Sequence, residues 1–228
     1  NLKEFYDKKE KIPFEINNKF ESLFLEYIVV GGMPEVVNCF VQTSDYSKVS
    51  KIQRKILEDY NFDIIKHAKG SEKIKIKSCY ESIPSQLARE LKKFKYSSVE
   101  KGQTSKKYGN SIKWLIDSGL VNPSYAVHEP QIPLLANCNK DQFKLYFNDT
   151  GLLMEAYGFE TKKALLSNTL IGNAKGGIFE NVISELLVKK GYKLYYFRPN
   201  ENQEIEFLLE NHSDMSLVKI DKYHSFND

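Results

Sequence analysis

Glu180, Glu204 and Glu206 are the residues of this chain whose types and spacing could do chemistry. Glu180 sits in the stretch Lys175–Leu187 (KGGIFENVISELL), where Ile178, Val182, Ile183 and Leu186 recur at helical spacing. The sequence therefore predicts a helix with Glu180 beside its apolar face. Lys193–Arg198 and Glu204–Leu209 read as two strands joined by the turn Pro-Asn-Glu-Asn. Carboxylates brought together from a helix and a following strand can share a hard cation. Mg²⁺ takes oxygen ligands at about 2.1 Å and keeps several waters, one of which can attack a phosphodiester. Glu180 and Glu206 are the candidate metal ligands of such a site.

Nucleases of the restriction-endonuclease type complete this arrangement with Glu-x-Lys or Asp-x-Lys on the next strand. Downstream of Glu206 the chain offers Ser216–Lys219 (SLVK) and Ile220–Lys222 (IDK), neither with the one-residue gap. If Lys219 is the lysine, Leu217 falls at the acid position. If Asp221 and Lys222 are the pair, adjacent strand residues point to opposite faces. Two readings stay open: an acidic but inactive fold, and a nuclease. In the nuclease, Glu180 and Glu206 hold Mg²⁺, Asp221 reaches the site from an irregular strand, and Lys219 or Lys222 activates water.

The elements that must position these residues are framed by composition and charge. With 228 residues and 41% hydrophobic content, the chain can bury a real core and could hold two or three compact units. Cys39, Cys79 and Cys138 are odd in number and widely spaced, which argues against a disulfide framework or a zinc site. His67, His128, His212 and His224 are equally scattered. No apolar run approaches the roughly 20 residues that span a bilayer, and no basic-then-apolar leader opens the chain. The expectation is a soluble cytoplasmic protein without a membrane partner.

The formal charge of +3 conceals a division. Between Lys66 and Lys113 there are thirteen Lys/Arg against four acids. Such a basic middle is the footprint of a module facing a phosphate backbone, or else a solvated lysine-rich face. Around it, Glu21–Val30 reads as a short helix or buried run ending at Gly31-Gly32, with Pro34 placed to open the next helix. Tyr46–Lys66 carries Val49, Ile52, Ile56, Leu57, Tyr60 and Ile64 as a long amphipathic helix. A further helix is expected to open at Pro84, with Leu87, Ala88 and Leu91 as one stripe. Another covers about Thr104–Ser118, burying Tyr108, Ile112, Leu115 and Ile116 and closing at Gly119. Strands at Leu120–Val127 and Phe143–Phe147 follow. Helix, helix and a two-stranded wing read as a winged helix-turn-helix, with Lys106, Lys107, Asn110 and Lys113 as candidate DNA contacts. Winged helices also serve as protein adaptors.

Six segments carry a family resemblance. They are Tyr27–Val37 (YIVVGGMPEVV), Ser82–Tyr96 (SIPSQLARELKKFKY), Trp114–Leu120 (WLIDSGL), Phe143–Leu153 (FKLYFNDTGLL), Lys175–Asn181 (KGGIFEN) and Tyr195–Phe207 (YYFRPNENQEIEF). In this order, over nearly the whole chain, the set resembles a large family of prokaryotic AAA-type ATP-binding proteins. The resemblance implies a P-loop ATPase core ahead of Asn1–Phe5, then a winged helix, then a C-terminal domain of unknown function like restriction-endonuclease folds. The family's last core strand carries Glu-Val-Lys after a proline, where this chain has Leu217-Val-Lys219. No Gly-x-x-x-x-Gly-Lys-Ser/Thr is present, and Gly172–Gly177 reads as a glycine-containing bend before a helix. ATP is therefore expected only in the missing N-terminal domain, with no cofactor in this chain and Mg²⁺ only under the nuclease reading.

The resulting expectation is a mixed α+β protein in three parts. Residues 1–70 are a helical segment following the ATPase core, 71–150 a winged helix, and 151–228 a degenerate restriction-endonuclease-like α/β domain. Its function is that of an accessory portion binding DNA or a partner protein, with the ATPase core of the same polypeptide as a further partner. The alternatives are a Mg-dependent nuclease and a protein-interaction adaptor. Asp149, just before Thr150-Gly-Leu-Leu, reads as a helix cap worth about 1 kcal/mol. Arg198 reads as a partner for Glu180 or Glu204, or for a phosphate. Trp114 and Tyr108 read as core.

Overall fold

The computed structural model describes residues 2–68, 70–200 and 203–210, with the backbone of strand 217–220. Among these, the chain is mixed α+β, with nine α-helices, a 3-10 turn at Tyr96–Ser98 and one five-stranded sheet.

Helices α1 (Leu2–Lys8) and α2 (Phe14–Val30) open the chain, and α2 buries only Leu25, Ile28, Val29 and Val30. It stops at Gly31, whose φ of +76° disfavours any residue with a Cβ. Pro34 then starts α3 (Pro34–Thr43) in the first turn, where its missing N–H costs nothing. The long amphipathic helix is α4 (Tyr46–His67). Asp45 caps it by accepting from the Ser47 and Lys48 amides.

Helix α5 (Glu72–Leu87) corrects the expectation that a helix opens at Pro84. Ile76, Cys79, Tyr80, Ile83 and Leu87 form a buried stripe that begins well upstream, so Pro84 lies inside the helix near its end. Leu91 falls beyond that end and is 39% exposed. A long connection then leads to α6 (Ser105–Asp117), which buries Tyr108, Ile112 and Leu115. Trp114 and Ile116 are partly buried against the same core.

The strands are β1 (Val121–Val127), β2 (Cys138–Phe147), β3 (Leu194–Asn200), β4 (Gln203–Glu210) and β5 (Leu217–Ile220). They lie in the order β2-β1-β3-β4-β5. All neighbours are antiparallel except β1 and β3, which run parallel from Ser124 beside Leu194 to Val127 beside Phe197. The hairpin expected as a wing is therefore two strands of a five-stranded sheet. Its connecting loop folds back: Leu134 is fully buried against Val127, Tyr195 and Leu208, and its amide donates to Glu210 Oε1 on β4 at 2.5 Å.

A parallel pair needs a long crossover. Here it is α7 (Thr150–Tyr157), α8 (Phe159–Leu166) and α9 (Asn173–Lys189). Gly176 and Gly177 lie within α9 rather than in a bend ahead of it. The main core cluster extends from Ile64 to Leu209 and so runs across residues 70 and 150. Among the described residues, no helix is long and apolar enough to cross a membrane.

Candidate functional site

The face of the sheet that meets α9 carries a buried cluster of opposite charges. Lys144 and Tyr146 are two residues apart on β2 and so share a face, and both reach Glu180 on α9. The Tyr146 hydroxyl donates to Glu180 Oε2 at 2.9 Å, and Lys144 Nζ lies 3.3 Å from the same oxygen. Lys144 also pairs with Glu204 on β4 and stands over the Tyr196 ring, 5.0 Å from its centroid. Lys92 Nζ is 3.1 Å from Glu180 Oε1. It is carried there by the segment after α5, which is tied down on two sides. The Phe94 amide donates to the Phe143 carbonyl at 2.8 Å, and the Lys95 amide to Gln86 Oε1 at 2.7 Å. Glu206 is buried on β4, and its field acts on both Lys144 and Tyr146.

The electrostatics hold these groups charged. Burial acts to raise the Glu180 pKa, but the Lys144 and then the Lys92 ammonium outweigh it, so the carboxyl sits below its ordinary range. Burial acts to lower that of Lys144, but Glu180 and Glu204 hold it above its ordinary value. The sign for stability follows from linkage. Glu180 contributes above the unfolded carboxyl pKa, and its contribution is lost as pH falls through the depressed folded value. The stability gap between the wild type and Glu180→Gln, read from urea midpoints, should hold near pH 7 and close below about pH 4. A gap that stays constant into acid would show that Glu180 is not held ionised by the lysines.

This arrangement does not fit a hydrated Mg²⁺ at Glu180. Both carboxylate oxygens already face ammonium groups, and a divalent cation entering there would meet two fixed positive charges. Among the described residues, no group of three His, Cys, Asp or Glu is arranged to hold a metal. Asp221 lies outside the described residues. Lys219 lies on β5, of which only the backbone is described. Lys92 and Lys144, the two counter-ions, escaped the sequence reading. Lys144 did leave a signal: it is a lone charge in the otherwise buried run Phe143–Phe147.

Two further polar networks pin the crossover to the N-terminal helices. Asp149 accepts from the Leu152 amide at 3.0 Å, as a cap should, and also from the Gly32 amide at 2.7 Å. Glu185 accepts from the Thr150 amide and hydroxyl, each at 2.8 Å. Asn181 accepts from the Phe147 amide at 2.7 Å and donates to Thr150 Oγ1 at 3.0 Å. Nearby, the buried Lys162 donates to Ser50, Gln53 and Glu155. Three of the ordered motifs thus meet at one joint, where Gly31-Gly32, Asp149–Gly151 and Asn181 interlock.

Helix α6 turns a polar stripe outward. Lys106, Asn110 and Lys113 are exposed at helical spacing. Lys107 instead pairs with Glu100 at 2.7 Å and lies 5.5 Å from the Tyr108 ring centroid. The first turn of α6 has no side-chain cap, and Lys93, Lys95 and the carboxylate of Asp141 line a depression beside its Thr104 and Ser105.

Residues 21–163, more than half of the chain, match the model of a family described as a domain of unknown function, DUF8612, and the chain belongs to that family. No curated protein and no solved structure matches it. The matched stretch includes Lys92, Lys144 and the α6 stripe, while Glu180, Glu204 and Glu206 lie beyond it.

Proposed function

We propose that this chain is a non-catalytic, nucleic-acid-binding accessory portion of an AAA-type ATPase. In this reading α5, α6 and the β1–β2 hairpin act as a winged-helix unit, with α6 laid against a duplex. The observation that supports it best is the outward stripe of Lys106, Asn110 and Lys113 on a helix whose uncapped first turn is flanked by Lys93 and Lys95. Cations along a helix start suit phosphate oxygens, and a short polar residue between them suits a groove. Lys107 is committed to Glu100 and ranks behind the other three. The connection to an ATPase core rests on the ordered motifs.

The test is binding to duplex DNA against salt. Affinity should fall with a log-log slope of about −0.9 per phosphate neutralised, and Lys106→Glu with Lys113→Glu should flatten that slope by roughly two. Salt-insensitive binding, or none at 50 mM salt, would overturn the reading in favour of a protein-interaction adaptor. Strand cleavage dependent on Mg²⁺ or Mn²⁺ and abolished by Glu206→Ala would overturn it in favour of the nuclease.

A further inference from the structure

Near its carboxyl end, α4 places Tyr60, Asp63 and His67 on one side, because residues three and four apart on a helix are neighbours. The other walls of the cleft they line are Trp114 on α6, the turn Ser118–Leu120 that leads into β1, and Asn148 just after β2. The cleft holds about 430 Å³, within the roughly 300–1,000 Å³ of small-molecule sites. A Cβ built at Gly119 would meet nothing within 4 Å, so the turn leaves that wall open.

The lining selects the charge of a ligand. Asp63 is its carboxylate, and no Lys or Arg lines it, although a lysine precedes both His67 and Trp114 in the sequence. Among the described residues, the exposed Asp63 carboxylate has neither an ion pair nor a hydrogen bond. Asn148 Nδ2 lies 3.5 Å from the Tyr60 hydroxyl, while Asn148 Oδ1 is buried without a partner. An unpaired carboxylate beside an unmet acceptor favours a positively charged donor. Tyr60 and Trp114, both partly buried against the core, add ring faces that attract such a cation, tryptophan being the strongest ring in this role. Among the described residues no third acidic, His or Cys group joins Asp63 and His67 to hold a metal ion, so an organic cation fits better than a metal.

We propose that this cleft takes an alkylammonium group, with its charged end at Asp63 and its methylenes against the rings of Tyr60 and Trp114. A small free amine and the lysine side chain of a partner protein share this chemistry. The site uses none of Lys106, Asn110 and Lys113, so failure of duplex binding leaves it standing.

Trp114 is the chain's only tryptophan, so its fluorescence reports on the cleft directly. Titration at pH 8 with n-butylammonium should change that emission saturably, with a Kd on the order of millimolar. Butan-1-ol, similar in size but uncharged, should bind about fivefold more weakly or worse. A blocked glycine-lysine-glycine tripeptide and its norleucine counterpart repeat the comparison on a peptide. Tighter binding of the lysine tripeptide than of n-butylammonium identifies a partner's side chain as the source, and equal or weaker binding identifies a free amine. Asp63→Asn should cost about fivefold in affinity for the cation while circular dichroism stays unchanged. Tyr60→Leu should cost about threefold, whereas Tyr60→Phe, which keeps the ring, should cost little. Equal affinity for charged and neutral probes, no saturable change with either cation, an affinity indifferent to Asp63→Asn, or equal losses in the two Tyr60 variants would each overturn the proposal.

Discussion

Replacing Glu180 with alanine should destabilise the protein by about 3–5 kcal/mol, the range for removing one partner of a buried ion pair. The substitution strips Lys92 of its carboxylate and leaves Lys144 with Glu204 as its paired carboxylate, both ammonium groups being buried. For a chain of this length, a loss of that size lowers the melting temperature by roughly 6–20 °C. The result separates two views of the same carboxylate. A carboxylate kept for metal binding repels its neighbours in the metal-free protein, and its removal leaves stability unchanged or raises it. A double change, Glu180→Leu with Lys92→Met, should recover much of the loss, because Lys144 keeps Glu204 and apolar replacement of both partners of a buried pair is often neutral. Thermal melts of the single and double variants without metal decide the matter. An unchanged melting temperature for Glu180→Ala would sink the structural role assigned to the cluster.

Two adjacent glycines should respond with opposite signs. Gly177 sits where α9 crosses the end of α5, and a methyl there would press into the Leu87 carbonyl oxygen, well inside van der Waals distance. That oxygen belongs to the backbone and cannot rotate away, so Gly177→Ala should cost about 1–3 kcal/mol. At Gly176 the nearest atom to such a methyl is Lys92 Nζ at 3.9 Å, an ordinary contact. Gly176→Ala should therefore gain up to about 1 kcal/mol from helix propensity alone. Urea midpoints of the two variants measure the difference. If both are stabilised, the close crossing of α9 over α5 is wrong.

The helices with long periodic stripes were legible in the sequence, as α4, α6 and α9 demonstrate. Their buried faces repeat over enough residues that local signals agree with the final packing. The end of α5 was misread because Pro84 is a common helix opener, and only the stripe from Ile76 reveals that the helix is already under way. The two hairpins were also legible, but the parallel seam that joins them was not. Nothing local in Val121–Val127 announces a parallel neighbour some seventy residues on. Lys144 stands between Glu180 and Glu204, within the field of Glu206. Their neutralisation was hidden because Lys92 and Lys144 arrive from distant segments, one of them on an irregular connection held by backbone bonds to Phe143 and Gln86.

The parallel seam between β1 and β3 also bears on how the chain can be made and cut. Contacts between residues so far apart form late, after the intervening helices have shortened the loop that must close. Until then the β1 edge of the hairpin displays unpaired amides and carbonyls, a template for pairing with another chain. A recombinant fragment ending near residue 150 would keep that edge permanently bare. It should self-associate in a concentration-dependent way, whereas a fragment extending through β5, which covers the outer edge of β4, should remain dispersed.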